Sequence, residues 1–218
     1  MKAIRKRTRG TRDPELTRQA LIGAATVRFA ERGYDGASLD DIARAARVNK
    51  AMISYHFGGK LGLYRAILEA TFAPAAERMA ELREAPGPAA ERLRDYVATF
   101  ALLAAGRPEF PAMLLREVLS GGRRLDDRFV RHITVIFRTV QDIVEQGVRE
   151  GAFRRVDPLL THLSVVGALC FFFASGPMRE RVLRQARIPA PRPDAETFVR
   201  NLQDIIARGL SAAPAQGS

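Results

Sequence analysis

The residues best suited to bind another molecule lie in one short stretch, NKAMISYHF, at residues 49–57. Its amide, ammonium, hydroxyl and imidazole groups can hydrogen-bond to phosphates and to the edges of DNA bases, and its small apolar groups can contact a thymine methyl. With flanking residues that could add phosphate contacts, the candidates are Ser38, Arg47, Asn49, Lys50, Ala51, Met52, Ser54, Tyr55, His56 and Lys60. For His56 the alternative is a histidine packed against neighbouring helices.

Enzymatic chemistry has no comparable set of candidates. The chain contains only three histidines and a single cysteine, Cys170, so it can form neither an intramolecular disulfide nor a cysteine cluster around a metal. It also lacks a glycine-rich phosphate loop, histidines at metal-ligand spacing and a nucleophile elbow. We therefore expect no catalytic site, no metal and no cofactor, and an all-helical enzyme is a remote alternative.

Positive charge is concentrated at the start of the chain. Residues 1–60 hold 13 Lys/Arg and 6 Asp/Glu, a net charge of +7 out of +11 for the whole chain. Residues 1–12 hold basic side chains and no acid, which predicts a flexible basic arm. This asymmetry indicates a polyanionic partner, with a solubility-enhancing tail as the alternative. No apolar h-region follows the basic arm, so it is not expected to be a signal peptide. The most apolar run, 163–176, is too short to span a bilayer, so we expect a cytoplasmic protein without a membrane partner.

Signals for helix account for nearly the whole chain. Asp13-Pro14 and Asp157-Pro158 each combine an N-cap residue with a proline suited to the first helical position, and Gly33 suits a helix end. No stretch shows the alternation of a β-strand, so we predict an all-α fold. The expected helices are 14–33, 39–46, 50–56, 60–84 with a kink at Pro74, 89–105, 109–119, 124–150, 158–174, 177–187 and 195–209.

The segment 38–57 has the apolar pattern of two short helices joined by a tight corner. Ala43 and Ala46 are small enough to let the helices cross closely, Val48 fills the corner and Ile53 anchors the second helix. This is the packing of a helix-turn-helix, whose second helix enters the major groove of DNA.

From Thr17 to Ile67 the chain resembles the DNA-binding domain of the TetR family of transcriptional regulators. The resemblance rests on an AAxxxFxExGY pattern at 24–34, an IAxxA pattern at 42–46, and His56-Phe57 followed by Lys60. It departs from the family at Arg47, where the family usually has glycine because the corner favours left-handed backbone angles. We expect a positive φ at Arg47, at a cost of about 1 kcal/mol.

The resemblance implies the remaining architecture. A three-helix DNA-binding domain would occupy residues 13–60, with the helix-turn-helix at about 38–57, and a larger helical domain at 61–210 would dimerise and bind an effector. A flexible tail would follow at 211–218. The implied function is a transcriptional regulator, usually a repressor, that binds a palindromic operator as a homodimer and is released by a small-molecule effector, apolar in part and of unknown identity. The alternative is a helical nucleic-acid-binding protein without an effector.

Two sets of residues in the second domain are candidates for an effector pocket and a dimer interface. Both sets could instead belong to the core of the domain, since apolar residues at helical spacing are more often core than cavity. Phe171, Phe172 and Phe173 point about 100° apart, so at least one of them should face a second surface. The pocket candidates are Met79, Phe100, Leu103, Met113, Leu114, Arg116, Glu117, Phe129, His132, Ile133, Phe137 and Gln141. The interface candidates are Leu163, Val166, Gly167, Phe171, Phe198, Leu202 and Ile205.

Overall fold

The computed structural model describes residues 13–187 and 193–212, so the predicted basic arm, 1–12, and residues 213–218 lie outside the described residues. Within the described residues the regular structure is helical, apart from an isolated bridge between Phe153 and Ser211, and this confirms the predicted all-α fold. The helices are α1 (Pro14–Gly36), α2 (Leu39–Ala45), α3 (Ala51–Phe57), α4 (Lys60–Glu84), α5 (Ala89–Gly106), α6 (Phe110–Leu119), α7 (Asp127–Arg149), α8 (Pro158–Ala174), α9 (Gly176–Gln185) and α10 (Ala195–Leu210).

The predicted helix starts are confirmed by their caps. The Asp13 carboxylate accepts from the Glu15 N–H at 2.8 Å, and that of Asp157 accepts from the Leu159 N–H at 2.8 Å. The predicted helix end at Gly33 also appears, because Gly33 has a φ of 70° that interrupts α1 before a last short helical segment. These caps satisfy backbone donors that have no partner within the helix.

The chain divides into two compact units, and the boundary falls inside α4. The first unit ends at Ile67 and the second begins at Leu68, later than the boundary expected after residue 60. The cause is the packing of the first turns of α4. Tyr64 is buried, and its ring lies 5.1 Å from that of Phe29 and 5.2 Å from that of Tyr34, both in α1.

In the second unit, α5, α7, α8 and α10 surround a core that includes Tyr96, Ile136, Ile143 and Val165. Ala212 lies past the expected start of the tail but is still held by this unit, because its N–H donates to the Ala152 carbonyl at 3.0 Å. No single described helix is long and apolar enough to cross a membrane. The pair α8 and α9 reaches that length only together, with a bend of 60° between them.

The end of α4 is held by a buried arginine of α5. The Arg92 guanidinium donates to the carbonyls of Leu82 and Arg83, at 3.1 and 2.7 Å, and also to the Gln146 side chain in α7. Gln146 in turn donates to the Gly87 carbonyl at 3.0 Å. Arg92 thus supplies hydrogen bonds to two carbonyls in the last turn of α4, and the α4–α5 connection is fixed to α7.

Candidate functional site

The corner between α2 and α3 is a Schellman motif with arginine in the glycine position. The Arg47 N–H donates to the Arg44 carbonyl at 3.1 Å, and the Val48 N–H donates to the Ala43 carbonyl at 3.0 Å. Arg47 has a φ of 56°, which confirms the expected left-handed backbone, and its side chain is exposed beside α3.

Helix α3 is anchored by one side and presents the other to solvent. Ile53 is fully buried, and Ala43 of α2 is also buried. The outward face contains Ala51, Ser54 and Tyr55, and Tyr55 is 76% exposed although it is aromatic. Met52 is half-buried at the edge of this face. A face of this kind can enter the major groove without any change in the packing of the helix.

Three of the predicted contact residues also have structural roles. The Ser38 hydroxyl accepts from the Asp40 N–H at 3.2 Å, and Oδ1 of Asn49 accepts from the Ala51 N–H at 2.8 Å. The Lys50 ammonium lies 2.9 Å from the Asp40 carboxylate. Such an exposed ion pair is worth little in water, so a phosphate can displace Asp40 from Lys50 at small cost.

His56 differs from the prediction of a DNA contact. Its Nε2 is buried, and within the described part of the chain it has no hydrogen-bond partner. Its ring lies 5.0 Å from the Tyr55 ring and 6.0 Å from the Phe57 ring. The buried Nε2 favours the alternative of a packed histidine, although the side chain as a whole is half-buried, and the DNA contact of His56 stays a prediction.

The start of α4 lies against the end of α3. A Cβ added at Gly62 would come within 1.8 Å of the Phe57 carbonyl oxygen, so only glycine allows this approach. The Lys60 ammonium lies 4.8 Å from the centre of the Tyr34 ring and donates to the Asp35 carbonyl at 3.4 Å. This cation–π contact positions Lys60 at the first turn of α4, where a phosphate contact is predicted.

The predicted pocket residues do not form one site. Phe100, Leu103 and Leu114 line an apolar cavity of about 20 Å³ in the second unit. Met79 and Met113 are instead fully buried in the core, and Phe129 is buried with its ring 4.5 Å from the ring of Phe72. The burial of these three residues favours the alternative of a filled core.

Most of the other pocket candidates either interact with neighbouring residues or are exposed to solvent. The buried Glu117 carboxylate accepts from the Arg124 N–H at 3.1 Å, whereas Arg116 is exposed. His132 Nε2 lies 3.2 Å from the Glu69 carboxylate, at an angle unsuited to a hydrogen bond. Gln141 donates to Glu145 one turn along α7, at 2.9 Å. The remaining two, Ile133 and Phe137, are half-buried.

The predicted interface residues separate into an exposed group and a buried group. Leu163, Phe171 and Ile205 are 55%, 63% and 58% exposed, and Gly167 is exposed with open space around it. Val166 is half-buried, so its burial is intermediate between those of the two groups.

Leu202 is the buried member, and Phe198 is half-buried. Leu202 is buried in its own protomer, and the Phe198 ring stacks on that of Phe172 at 3.9 Å. These two residues fit the alternative of an intramolecular core. Phe171 is 63% exposed while Phe172 is buried, so the three phenylalanines do point in different directions, and the second surface that Phe171 would face stays a prediction.

One polar pair in the second unit was not found from the sequence. The Tyr96 hydroxyl of α5 lies 2.6 Å from Nδ1 of His162 in α8. Both residues fall on the apolar faces of their helices, which is an unusual place for polar groups. This placement is the only feature of the sequence that could have indicated the pair. Their pairing across 66 positions follows only from the packing of α5 against α8.

Comparison with known proteins identifies the family. Residues 21–67 match the sequence pattern of "Bacterial regulatory proteins, tetR family", and residues 90–192 match that of "Tetracyclin repressor-like, C-terminal domain". The HTH-type transcriptional repressor NicS of Pseudomonas putida is 30% identical over 166 residues, which cover 74% of this chain and 77% of NicS. The chain belongs to the TetR family. It is therefore a DNA-binding transcriptional regulator and not an enzyme, as predicted.

Solved structures of transcriptional regulators share the fold. The regulator PfmR of Thermus thermophilus superposes with a TM-score of 0.65 at 25% identity, over 88% of this chain and 98% of PfmR. FadR of Bacillus subtilis, solved in complex with stearoyl-CoA, gives a TM-score of 0.67 at 18% identity, over 88% of this chain and 98% of FadR. The helical second unit is thus the C-terminal domain of a TetR-type protein.

Proposed function

We propose that this TetR-family protein is a cytoplasmic repressor that binds a palindromic operator as a homodimer and leaves it when a small-molecule effector binds. The observation that carries the DNA-binding part is the outward face of α3, where Ser54 and the 76%-exposed Tyr55 project from a helix anchored by the buried Ile53. The similarity to the repressor NicS supports repression rather than activation.

Base contacts and phosphate contacts would come from different positions around this helix. Ala51, Ser54 and Tyr55 occupy the face that meets base edges and thymine methyl groups in the major groove. Arg47 precedes α3 and Lys60 begins α4, so their charges flank this face and suit the two sides of the groove. In a twofold dimer the two copies of α3 would bind half-sites about one DNA turn, ~34 Å, apart.

The effector-dependent part rests on the second unit. FadR shares the fold and was solved with a small molecule bound, so the fold accommodates one. The apolar cavity among α4, α5, α6 and α8 has a volume of about 20 Å³, room for about one water, so an effector that occupied it would have to enlarge it. An effector that binds only the enlarged form shifts the population toward that form, and operator release follows if the enlarged form binds DNA more weakly.

Selection of random DNA on the purified protein, followed by affinity measurements, tests the proposal. We expect the recovered sequences to be inverted repeats, and Tyr55→Ala to weaken binding by roughly tenfold, the effect of losing one good base contact. Leu119→Ala is the matched control, because Leu119 is 87% exposed but lies on α6 in the other unit. Recovered DNA without a repeat, or equal affinity of the Tyr55→Ala variant and the control, would contradict the proposal.

A further inference from the structure

A second and larger cavity of the second unit lies between α5, α10 and the connection from α7 to α8. Its volume is about 190 Å³, and it exists without any rearrangement of the described residues. A cavity of about 150 Å³ is enough to hold benzene, so this one has room for a single aromatic ring or a short alkyl chain. The lining residues are Ala90, Leu93, Arg94, Val97, Ala152, Phe153, Gln203, Ile206, Ala207 and Ser211.

The base of this cavity is apolar and is held in place by its neighbours. Leu93 and Val97 of α5 are buried, and so is Phe153 in the connection from α7 to α8. The Phe153 ring lies directly on Gly147 of α7, where an added Cβ would come within 2.0 Å of the ring. Because the backbone of α7 supports the ring so closely, Phe153 forms a fixed wall of the cavity.

Hydrogen bonds fix α10 to the other two walls of the cavity. The Gln203 side-chain amide of α10 donates to the Arg94 carbonyl of α5 at 2.9 Å. Beyond the end of α10, the Ala212 N–H donates to the Ala152 carbonyl at 3.0 Å. These bonds set the separation of the walls before any ligand arrives, so a ligand loses little binding free energy to ordering the site.

Arg94 is the one charged residue among those that line this cavity in the described part of the chain. Arg94 is exposed, as are Ala152 and Ser211, so the cavity opens to solvent on their side. Within the described residues, the Arg94 guanidinium makes no ion pair or hydrogen bond with another side chain. An anion that entered the cavity would therefore meet an available guanidinium and no lining carboxylate, whereas a cation would be repelled.

We propose that the cavity between α5 and α10 binds a small carboxylate with an apolar body, about the size of one aromatic ring. The carboxylate pairs with Arg94, whose guanidinium can hold it through two parallel hydrogen bonds, and the body lies against Leu93 and Phe153. The site is separate from the apolar cavity among α4, α5, α6 and α8, because the two share no lining residue. It goes beyond the proposed function, since binding here does not depend on DNA.

Three compounds of nearly equal size and different charge test the ligand class: benzoate, benzamide and benzamidinium. In calorimetry on the full chain, benzoate should bind roughly tenfold more tightly than benzamide, as expected for hydrogen bonds to a charged group, and benzamidinium most weakly. In Arg94→Gln, benzoate should lose this advantage over benzamide. Arg128→Gln is the matched control, because Arg128 is exposed at the start of α7 and does not line the cavity.

Methyl NMR of the wild-type chain locates the ligand without relying on the variants. The ring current of bound benzoate should shift the methyl signals of Val97 and Ile206, which line the cavity between α5 and α10. The methyl signals of Leu103 and Leu114, which line the smaller cavity, should stay unchanged. Shifts confined to Leu103 and Leu114 would overturn the site.

The calorimetry also has outcomes that would overturn the proposal. Equal affinity of the wild-type chain for benzoate and benzamide, or no binding of benzoate, would exclude a carboxylate site. An equal loss of benzoate affinity in Arg94→Gln and Arg128→Gln would exclude a specific role for Arg94. None of these measurements includes DNA, so they leave the repressor function to the selection experiment.

Discussion

Arg47 holds a backbone conformation that arginine seldom adopts. Its φ of 56° lies in the left-handed region, where a side chain with a Cβ costs roughly 1–2 kcal/mol relative to the ordinary conformation. The surrounding Schellman hydrogen bonds of Arg47 and Val48 maintain this conformation. The exposed side chain precedes α3, on the side where a DNA phosphate is expected. A contact with that phosphate would offset the backbone strain and would explain why arginine occupies a position that suits glycine.

We predict that Arg47→Gly raises the free energy of unfolding by up to about 1 kcal/mol, because glycine relieves the strain. The same change should weaken operator binding and reduce the slope of log affinity against log salt by about 0.9, the value for one phosphate contact. Arg187→Gly is the matched control, since Arg187 has a φ of 50° but follows α9 in the second unit. If both variants bind the operator equally well, Arg47 has no role at the phosphate.

At the scale of the elements, the contact between α3 and α4 depends on the absence of a side chain at Gly62. The Phe57 carbonyl oxygen would be 1.8 Å from a Cβ there, and a backbone atom cannot move aside as a flexible side chain can. Gly23 offers the opposite case, because it is exposed in the middle of α1 and a Cβ there would meet nothing within 4 Å.

We predict opposite effects of one substitution at these two glycines. Gly62→Ala should lower the free energy of unfolding by roughly 1–3 kcal/mol and should impair DNA binding, because the end of α3 must shift. Gly23→Ala should raise it by about 0.5–1 kcal/mol, since alanine favours helix over glycine. Urea denaturation followed by circular dichroism measures both changes. Equal effects at the two positions would show that α4 can begin further from α3 than it does here.

The helices were predictable from the sequence because their signals are local. Asp13 and Asp157 cap the helices that follow them, and Gly33 marks the interruption of α1. The apolar pattern of the helix-turn-helix is local as well, whereas the positive φ of Arg47 was expected from the resemblance to the TetR family, which usually has glycine there.

Long-range contacts were not predictable, because no local pattern records them. Lys60 meets Tyr34 from 26 positions away in the chain, and Tyr96 meets His162 across 66. Likewise, Leu202 and Ile205 are both apolar residues of α10, and only the packed structure shows that Leu202 is buried and Ile205 exposed.

At the scale of the whole molecule, an apolar surface formed by α8 and α10 is exposed to solvent within the described residues. Leu160, Leu163 and Phe171 of α8 are 63%, 55% and 63% exposed, and Ile205 of α10 is 58% exposed. Gly167 lies between the exposed residues of α8 and leaves room for a second helix to approach closely. Burial of such a surface against its own twofold copy would remove it from water at about 25 cal/mol per Å², which suits the homodimer proposed above.

We predict that Leu163→Glu/Phe171→Glu gives a folded monomer at micromolar concentration, because four carboxylates would meet across the twofold axis without counter-ions. Leu119→Glu places the same charge at a residue that is 87% exposed outside this surface, and it should remain dimeric. Sedimentation velocity distinguishes the two outcomes. A dimer in both variants would place the interface elsewhere on the protomer.

The same pair of variants links dimerisation to DNA binding. The monomer should bind a complete operator at least about tenfold more weakly than the dimer, since its second half-site contact is no longer intramolecular. Its affinity for an isolated half-site should be unchanged, because α3 lies in the other unit and keeps its own packing. Fluorescence anisotropy with the two DNA lengths measures this difference. A monomer that lost half-site affinity as well would indicate that the charges had disturbed the fold rather than only the interface.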